Sequence, residues 1–252
     1  MSLNSDKYNF EDFTRDNFKK LIREAKKNYK FITYDEIELN KEKKIILLRH
    51  DVDFSVHSAF KLAQIEKEEN VKATFFIWLQ SKFYNPFEKE IFQKIKSIVE
   101  MGHPIGIHLD CEFHSLNNEE EIEKVLQFEK QTLENLFETS ISVFSFHNPN
   151  AEVLKNTNEK YLGLINTYSS YFRNNVFYCS DSNGYWRFHR LDDVIKEAKN
   201  DKLQILLHPE WWTEEIMSPK EKVWRSINSR AENNINWYKN TLENHGRENI
   251  DW

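Results

Sequence analysis

The chain is short of the residues that break a fold or cross-link it. Its 252 residues include five Gly, five Pro and two Cys. So little Gly and Pro argues against flexible linkers and against a turn-dense all-β architecture. Cys111 and Cys179 make no disulfide framework, as expected in a reducing setting. Basic charge is not in excess: 35 Lys and Arg against 41 Asp and Glu leave a net charge of −6. The electrostatic footprint of a nucleic-acid binder is therefore missing, and so is any pull toward anionic lipid. The longest apolar run, 73–79, is far too short to span a bilayer. The amino terminus, MSLNSDKYNFEDF, shows no basic region followed by an apolar core, so it does not read as a signal peptide. These absences together lead to the expectation of a cytoplasmic protein with neither nucleic acid nor membrane as partner.

What the chain does have is alternation. Apolar spacing predicts helices over about 10–29, 55–70, 86–101, 118–138, 191–199 and 219–242, the last carrying Val223, Trp224, Ile227, Ala231, Ile235 and Tyr238. Gly102 stands where a helix C-cap glycine would. Short runs at 30–34, 44–49, 71–79, 104–109, 142–146, 161–166, 175–178 and 203–208 read as strands. With no internal repeat and no linker, 1–252 reads as one domain. Strands that alternate with helices along the whole length indicate a parallel sheet under helical cover, and favour a barrel over a short open sheet. Ligands in such folds gather at the carboxyl ends of the strands.

The polar residues sit where that rule puts a site. The stretch KIILLRHDVDF rises through Ile45–Leu48 and stops at Arg49, His50, Asp51 and Asp53. Alternation puts Arg49, Asp51 and Asp53 on one face and Ile46 and Leu48 on the other. The plain alternative is an Arg49–Asp51 ion pair with Asp53 capping the next helix. Three more apolar strands end in the same way. Gly106, His108 and Asp110 share a face in PIGIHLD; Ser145 and His147 share one in SVFSFHNPN; Gln204 and His208 share one in LQILLHPEWW. In a barrel, Asp51, Asp53, His108, His147 and His208 would all project into the mouth. Mixed carboxylate and imidazole ligands suit zinc and similar divalent ions. Glu112 and His114 follow His108 in a loop and are alternative ligands. His50 and His57 read as structural and His103 as a surface residue. Cys111 reads as a small buried side chain, and Asp181 as an Asx-turn or part of a loop lining the same mouth.

These residues carry a family likeness. Over about 44–212 the chain resembles the polysaccharide deacetylases (family 4 carbohydrate esterases), and more closely their divergent relatives encoded with surface-polysaccharide genes. LRHDVD stands for that family's paired aspartates, ahead of a buried ATFFI strand. GHPIGIH resembles the segment GHEIGNH, FHNP the arginine–proline motif, and LLHPEWW the last, histidine-bearing strand. The resemblance implies an irregular (β/α) barrel of seven or eight parallel strands. It makes Asp51 the catalytic base, Asp53 and His108 metal ligands and His208 the proton donor to the leaving group, with Asp181 or Trp186 near the fourth motif. Two positions depart from the pattern. The second metal histidine is Glu112 here, so His147 is taken to complete the set Asp53, His108 and His147. The arginine that steadies the base is Asn148, a role that Arg49 is placed to assume. The implied activity is metal-dependent removal of an acetyl or formyl group from an amino sugar or polysaccharide precursor. Zinc is the expected ion, with cobalt, manganese or nickel as substitutes, and Trp211 and Trp212 would form a sugar platform or pack under the last helix. The competing expectations are a silent barrel that binds saccharide or metal, and hydrolysis of another carbon–nitrogen bond such as a cyclic amide.

Overall fold

The apolar stretches form strands and the amphipathic ones form helices that cover them, in a computed structural model that describes residues 5–116, 118–155 and 157–250. The strands are β1 (Lys30–Ile32), β2 (Ile45–Val52), β3 (Thr74–Ile77), β4 (Ile105–Leu109), β5 (Val143–Phe146), β6 (Lys160–Tyr161), β7 (Leu164–Asn166), β8 (Phe177–Ser182), β9 (Tyr185–Trp186) and β10 (Lys202–Leu207). The helices are α1 (Ser5–Tyr8), α2 (Arg15–Ala25), α3 (Val56–Glu68), α4 (Lys89–Glu100), α5 (Glu119–Phe137), α6 (Ser170–Asn175), α7 (Leu191–Glu197) and α8 (Pro219–Asn244).

The strands make one sheet in the order β6-β7-β5-β4-β3-β2-β10-β8-β9, with β1 paired to the first half of β2. All pairings are parallel except the edge ribbons β6–β7 and β8–β9, so eight strands run parallel. Among the described residues no pairing joins the two edges, and the barrel is open. The sequence expectation of seven or eight parallel strands therefore holds.

Alternation along each strand divides the core in two. Ile46, Leu48, Phe75, Ile77, Ile105, Ile107, Phe144, Ile205 and Leu207 pack in the large cluster that takes in the helices. Ile45, Leu47, Phe76 and Val143 belong to a much smaller cluster with Ile32, Tyr34, Phe172 and Val176. The second cluster is small because Arg49, Asp51, His108, Ser145 and Gln204 take the neighbouring positions of the same face, all of them buried. All eight positions of β2 are buried, which a strand reaches only when it is covered on both faces.

Local chemistry sets the helix ends. Ser55 Oγ accepts from Ser58 N at 3.2 Å and caps α3, so Asp53 does not. Gly102, at φ 94°, ends α4 while its N–H bonds Val99 O at 2.9 Å, as its sequence position predicts. Pro219 opens α8 beside a capping box of Ser218 and Glu221. His103, expected at the surface, is buried instead: its Nδ1 accepts from Ala73 N at 3.3 Å and Glu66 lies between it and His50. Glu66 projects inward from α3 and makes this a polar pocket behind the sheet, which spacing along the β4 segment does not reveal. Among the described residues no helix is long and apolar enough to cross a membrane.

A test of the interior packing lies at Gly106. A Cβ there would come within 2.8 Å of the Phe76 ring and 2.9 Å of the Val143 carbonyl oxygen, and a backbone carbonyl yields less readily than a side chain. Gly106→Ala should cost about 1–3 kcal/mol of stability, measured as a lower urea midpoint with an unchanged slope. An unaltered midpoint would show that β3 and β5 can part to admit the methyl group.

Candidate metal centre

Four strand ends deliver the site. Asp51 lies on β2 with Asp53 just beyond it, His108 lies on β4, His147 follows β5 and His208 follows β10. Parallel pairing keeps these ends at one height: His108 is in register with Ser145, and Leu206 with Arg49. The order of strands in the sheet, which differs from their order in the chain, is what makes residues more than 150 positions apart neighbours.

Asp53 Oδ1, His108 Nε2 and His147 Nδ1 form a nearly equilateral triangle with edges of 3.1, 3.2 and 3.3 Å. A tetrahedral ion with ligands at about 2.0–2.1 Å needs donor atoms roughly 3.3–3.4 Å apart, so the triangle has the size of one face of such a shell. Hydrogen bonding alone accounts for it poorly, because an imidazole nitrogen carries at most one proton, directed along one line. The donor set fits a divalent ion. His147 is aligned on one side by stacking on Trp78, with ring centroids 3.9 Å apart, and on the other by Asn148, whose amide lies 2.9 Å from Nε2. With the amide oxygen turned to the ring, Nε2–H donates to it and Nδ1 keeps its lone pair for the ion. Trp78 is in turn held by Asp110, which accepts from its Nε1 at 3.2 Å. His108 Nδ1 is buried without a partner.

Arg49 and Asp51 stand on one side of this triangle. The guanidinium donates to Asp51 from Nε at 3.1 Å and from Nη2 at 2.9 and 2.7 Å, and to Thr167 Oγ1 at 2.9 Å. It also contacts Ser145 Oγ and faces the Phe76 ring at 4.9 Å. Asp51 Oδ2 lies 3.7 Å from His108 Nε2. Burial would raise the Asp51 pKa, but the charge and hydrogen bonds of Arg49, helped by His108, hold it below the usual carboxylate range. Asp51 is ionised.

His208 stands on the other side, with Nε2 3.9 Å from Asp53 Oδ2. Its Nδ1–H donates to Asp181 Oδ1 at 2.6 Å, and its backbone N–H donates to the same carboxylate at 3.0 and 3.2 Å. Trp212 Nε1 donates to Asp181 Oδ2 at 3.0 Å. Burial would lower the imidazole pKa, but Asp181 and the more distant Asp53 outweigh it and push it up to about 10. His208 is thus a charged imidazolium with Nε2–H turned to the centre.

Several residues stand elsewhere than the sequence suggests. Asp181 lies on β8, fully buried, rather than in a turn. Asn148 touches His147 and not the base, because the chain turns at a φ of 41° directly after His147. Trp186 donates to Asp12 at 2.8 Å and packs on Phe13, which ties the β8–β9 ribbon to the amino-terminal segment and leaves it outside the centre. Trp211 and Trp212 are buried, packed on Phe54, Phe13 and Phe18. Neither shows a face to a sugar, and Trp212 acts by holding Asp181. Glu112 is exposed and outside the triangle, while His114 turns to Glu129 and Gln80. Sequence reasoning put Asp110 on the His108 face without a role and passed over Trp78 and Glu210, the latter a buried carboxyl that burial and the nearby Asp53 charge push well above its ordinary pKa. The juxtaposition of Glu210 with His208 in LLHPEWW was the signal available for it.

No protein family's sequence model matches the chain, and no curated protein does. Among solved structures it is similar to a family 4 carbohydrate esterase from Bacillus anthracis, at 16% identity over 86% of each chain with a TM-score of 0.45. It is also similar to a family 4 pseudoenzyme from the same organism, at 17% identity over 75% of this chain and 62% of that one, TM-score 0.45. A third is a peptidoglycan deacetylase from Bacillus subtilis, at 11% identity over 75% of this chain and 86% of that one, TM-score 0.46. The chain spans a little under two thirds of the length of the pseudoenzyme.

The His208–Asp181 pair has a direct test in chelator-treated protein. Asp181→Asn removes the charge that raises the imidazole pKa and leaves the burial that lowers it. The His208 ring, followed by NMR, should then titrate far below about 10, near or under the ordinary 6.5. The sign for stability follows. A raised histidine pKa contributes stability in full below about 6.5 and loses it as pH rises through about 10, so Asp181→Asn should flatten the alkaline decline in stability. An unshifted His208 titration would mean that Asp181 does not set its charge.

Proposed function

We propose that the chain is a metal-dependent hydrolase that removes an acetyl or formyl group from the nitrogen of an amino sugar or saccharide precursor. The observation that carries this reading is the metal-sized triangle of Asp53, His108 and His147, with an ionised carboxylate 3.7 Å from it on one side and an imidazolium 3.9 Å from it on the other. An acid and a base held apart at one centre are what amide hydrolysis requires, because the nucleophile loses a proton and the departing amine gains one.

Asp53, His108 and His147 would hold the divalent ion, zinc foremost. When bound, such an ion polarises the acyl carbonyl and lowers the pKa of attacking water. Asp51 takes the proton of the nucleophile. Arg49 keeps the carboxylate in one rotamer and in its charged form, the task the family pattern gives to an arginine elsewhere in the chain. His208 gives its Nε2 proton to the nitrogen as the carbon–nitrogen bond breaks. Asp181 keeps Nδ1 protonated and stabilises the positive charge before transfer, with the Nε2 side of the ring toward the centre.

One observation favours a second reading, a barrel that binds saccharide or metal without turnover. Three hydrogen bonds from Arg49 occupy both oxygens of Asp51 and depress its basicity.

Two sets of variants separate these readings. Asp53→Ala, His108→Ala and His147→Ala should each weaken zinc binding by 10-fold or more, read by metal analysis and calorimetry. Glu112→Ala and His114→Ala should not. Asp51→Asn and His208→Ala should keep metal and fold but lose about 10²–10⁴ in turnover, measured as amine release from N-acetylated and N-formylated amino sugars, free and nucleotide-linked, with zinc, cobalt, manganese or nickel. If metal-loaded wild type releases no amine yet binds saccharide as well as both variants do, the chain is a binding module.

A further inference from the structure

The gap in the barrel is a cleft. The parallel part of the sheet ends at β7 on one side and β8 on the other, and in the chain only residues 167–176, α6 among them, stand between these two strands. They line a hollow of about 800 Å³, within the range of roughly 300–1,000 Å³ that small-molecule sites occupy. The hollow adjoins the centre already described. Asn148, whose amide lies 2.9 Å from His147 Nε2, is part of its wall, and so are Thr167 and Tyr168, which meet the Arg49 guanidinium.

The charge of this cleft is opposite to that of the chain. Among the described residues its lining holds Arg173 and Arg187 and no Asp or Glu, although acids outnumber bases by 41 to 35 over the sequence. The two arginines come from different elements. Arg173 stands in the last turn of α6. Arg187 follows β9, where Trp186 is held by Asp12, and alternation turns the next residue the other way, to the cleft. The Arg187 N–H donates to Ser180 O at 3.2 Å, and Ser180 is in register with Leu206, as Leu206 is with Arg49. Neither guanidinium pairs with a carboxylate among the described residues. That of Arg187 lies over the Phe188 ring at 5.1 Å, an arrangement that leaves its edge donors free. Unpaired guanidiniums facing one hollow favour an anion, and their planar fork suits phosphate oxygens. Gln204, only 5% exposed, also lines the cleft. Its Oε1 accepts from the Tyr34 hydroxyl at 3.2 Å, and its amide N–H groups have no acceptor among the described residues, so they are donors left for a ligand.

We infer that the cleft holds a phosphate or diphosphate joined to the amino sugar, an assignment that takes the amino sugar from the proposed hydrolase activity and the anion from the cleft. Two guanidiniums answer the two negative charges of a diphosphate. Asn148, Thr167 and Tyr178 in the same wall carry the amide and hydroxyl groups that bind a sugar. The Phe188 ring, 61% exposed beside Arg187, is the surface on which a nucleobase would stack.

Chelator-treated full chain lets the anion site be read apart from the metal, by calorimetry with uridine diphosphate and with inorganic pyrophosphate. Both should bind, more weakly as salt is raised. Arg173→Ala and Arg187→Ala should each lower the affinity by about 10-fold or more with an unchanged circular dichroism spectrum, since both side chains are exposed. Arg225→Ala, on α8 outside the cleft, should leave it as it is. Uridine diphosphate bound more tightly than pyrophosphate identifies a nucleotide as the carrier, and equal binding another phosphate carrier; the site stands in both cases. With zinc restored, kcat/KM for amine release should fall further in the arginine variants for nucleotide-linked N-acetylglucosamine than for a neutral N-acetylglucosamine dimer. A wild type that binds neither anion, or a double arginine variant that binds them as well as wild type, overturns the inference and leaves the hydrolase reading to its own test of amine release. Glucuronate bound as tightly as pyrophosphate overturns the assignment to phosphate. Anion binding lost with the arginines, in a metal-loaded chain that releases no amine from any substrate, keeps the anion site and removes the hydrolase.

Discussion

The charge of Arg49 is the constraint from which the rest of the interior follows. A guanidinium with no exposure to solvent is tolerable only if its donors and its charge are met, and leaving such a group unpaired costs about 3–5 kcal/mol. Asp51 meets the charge, Thr167 and Ser145 take further donors, and the Phe76 and Tyr168 rings cover the flat faces. These partners come from β2, β3, β5 and the segment after β7. One side chain thereby ties β2 to β5, strands that hydrogen bonding joins only through β3 and β4. The apolar interior can stay small because this polar contact fills the space above it.

The same contact sets the electrostatics of the centre. Two carboxylates and three histidines crowd the ends of four strands, and without further control their protons would be shared among them. Buried partners divide the roles. Arg49 fixes Asp51 as an anion, and Asp181 fixes His208 as a cation. Neither Arg49 nor Asp181 belongs to the metal-sized triangle, yet each sets the charge of a group beside it. Asn148 and Trp78 do the corresponding work for His147, one by a hydrogen bond and the other by stacking. A pKa difference between an acid and a base held at one centre is the property on which hydrolysis depends.

The exterior shows the same logic with the sign reversed. Lys222 gives its ammonium to a backbone carbonyl beneath α8, and burial lowers its pKa to about 8. The helix meets the body through Lys222, Ser226 and Arg230, with Val223 against the core, and leaves Trp224, Ile227 and Ile235 exposed. An amphipathic helix read by itself would be docked the other way round.

Much of this was legible in the residues alone. Period-two alternation with apolar partners placed Arg49, Asp51, His108 and His208 on inward faces, because a strand covered on one side by helices has no other way to lie. The order of strands and helices made the sheet parallel, and the capping glycine marked the end of α4 through local backbone chemistry. Three things lay beyond the sequence. It could not say whether His147 or Glu112 approaches His108 and Asp53, since that turns on the left-handed residue after His147 and on Trp78, brought in by strand pairing. It could not give Asp181 to His208, because β8 and β10 become neighbours only in the sheet. Nor could it show which side of α8 meets the body. Periodicity identifies the two faces of a helix, but only packing against a particular neighbour decides which of them is covered.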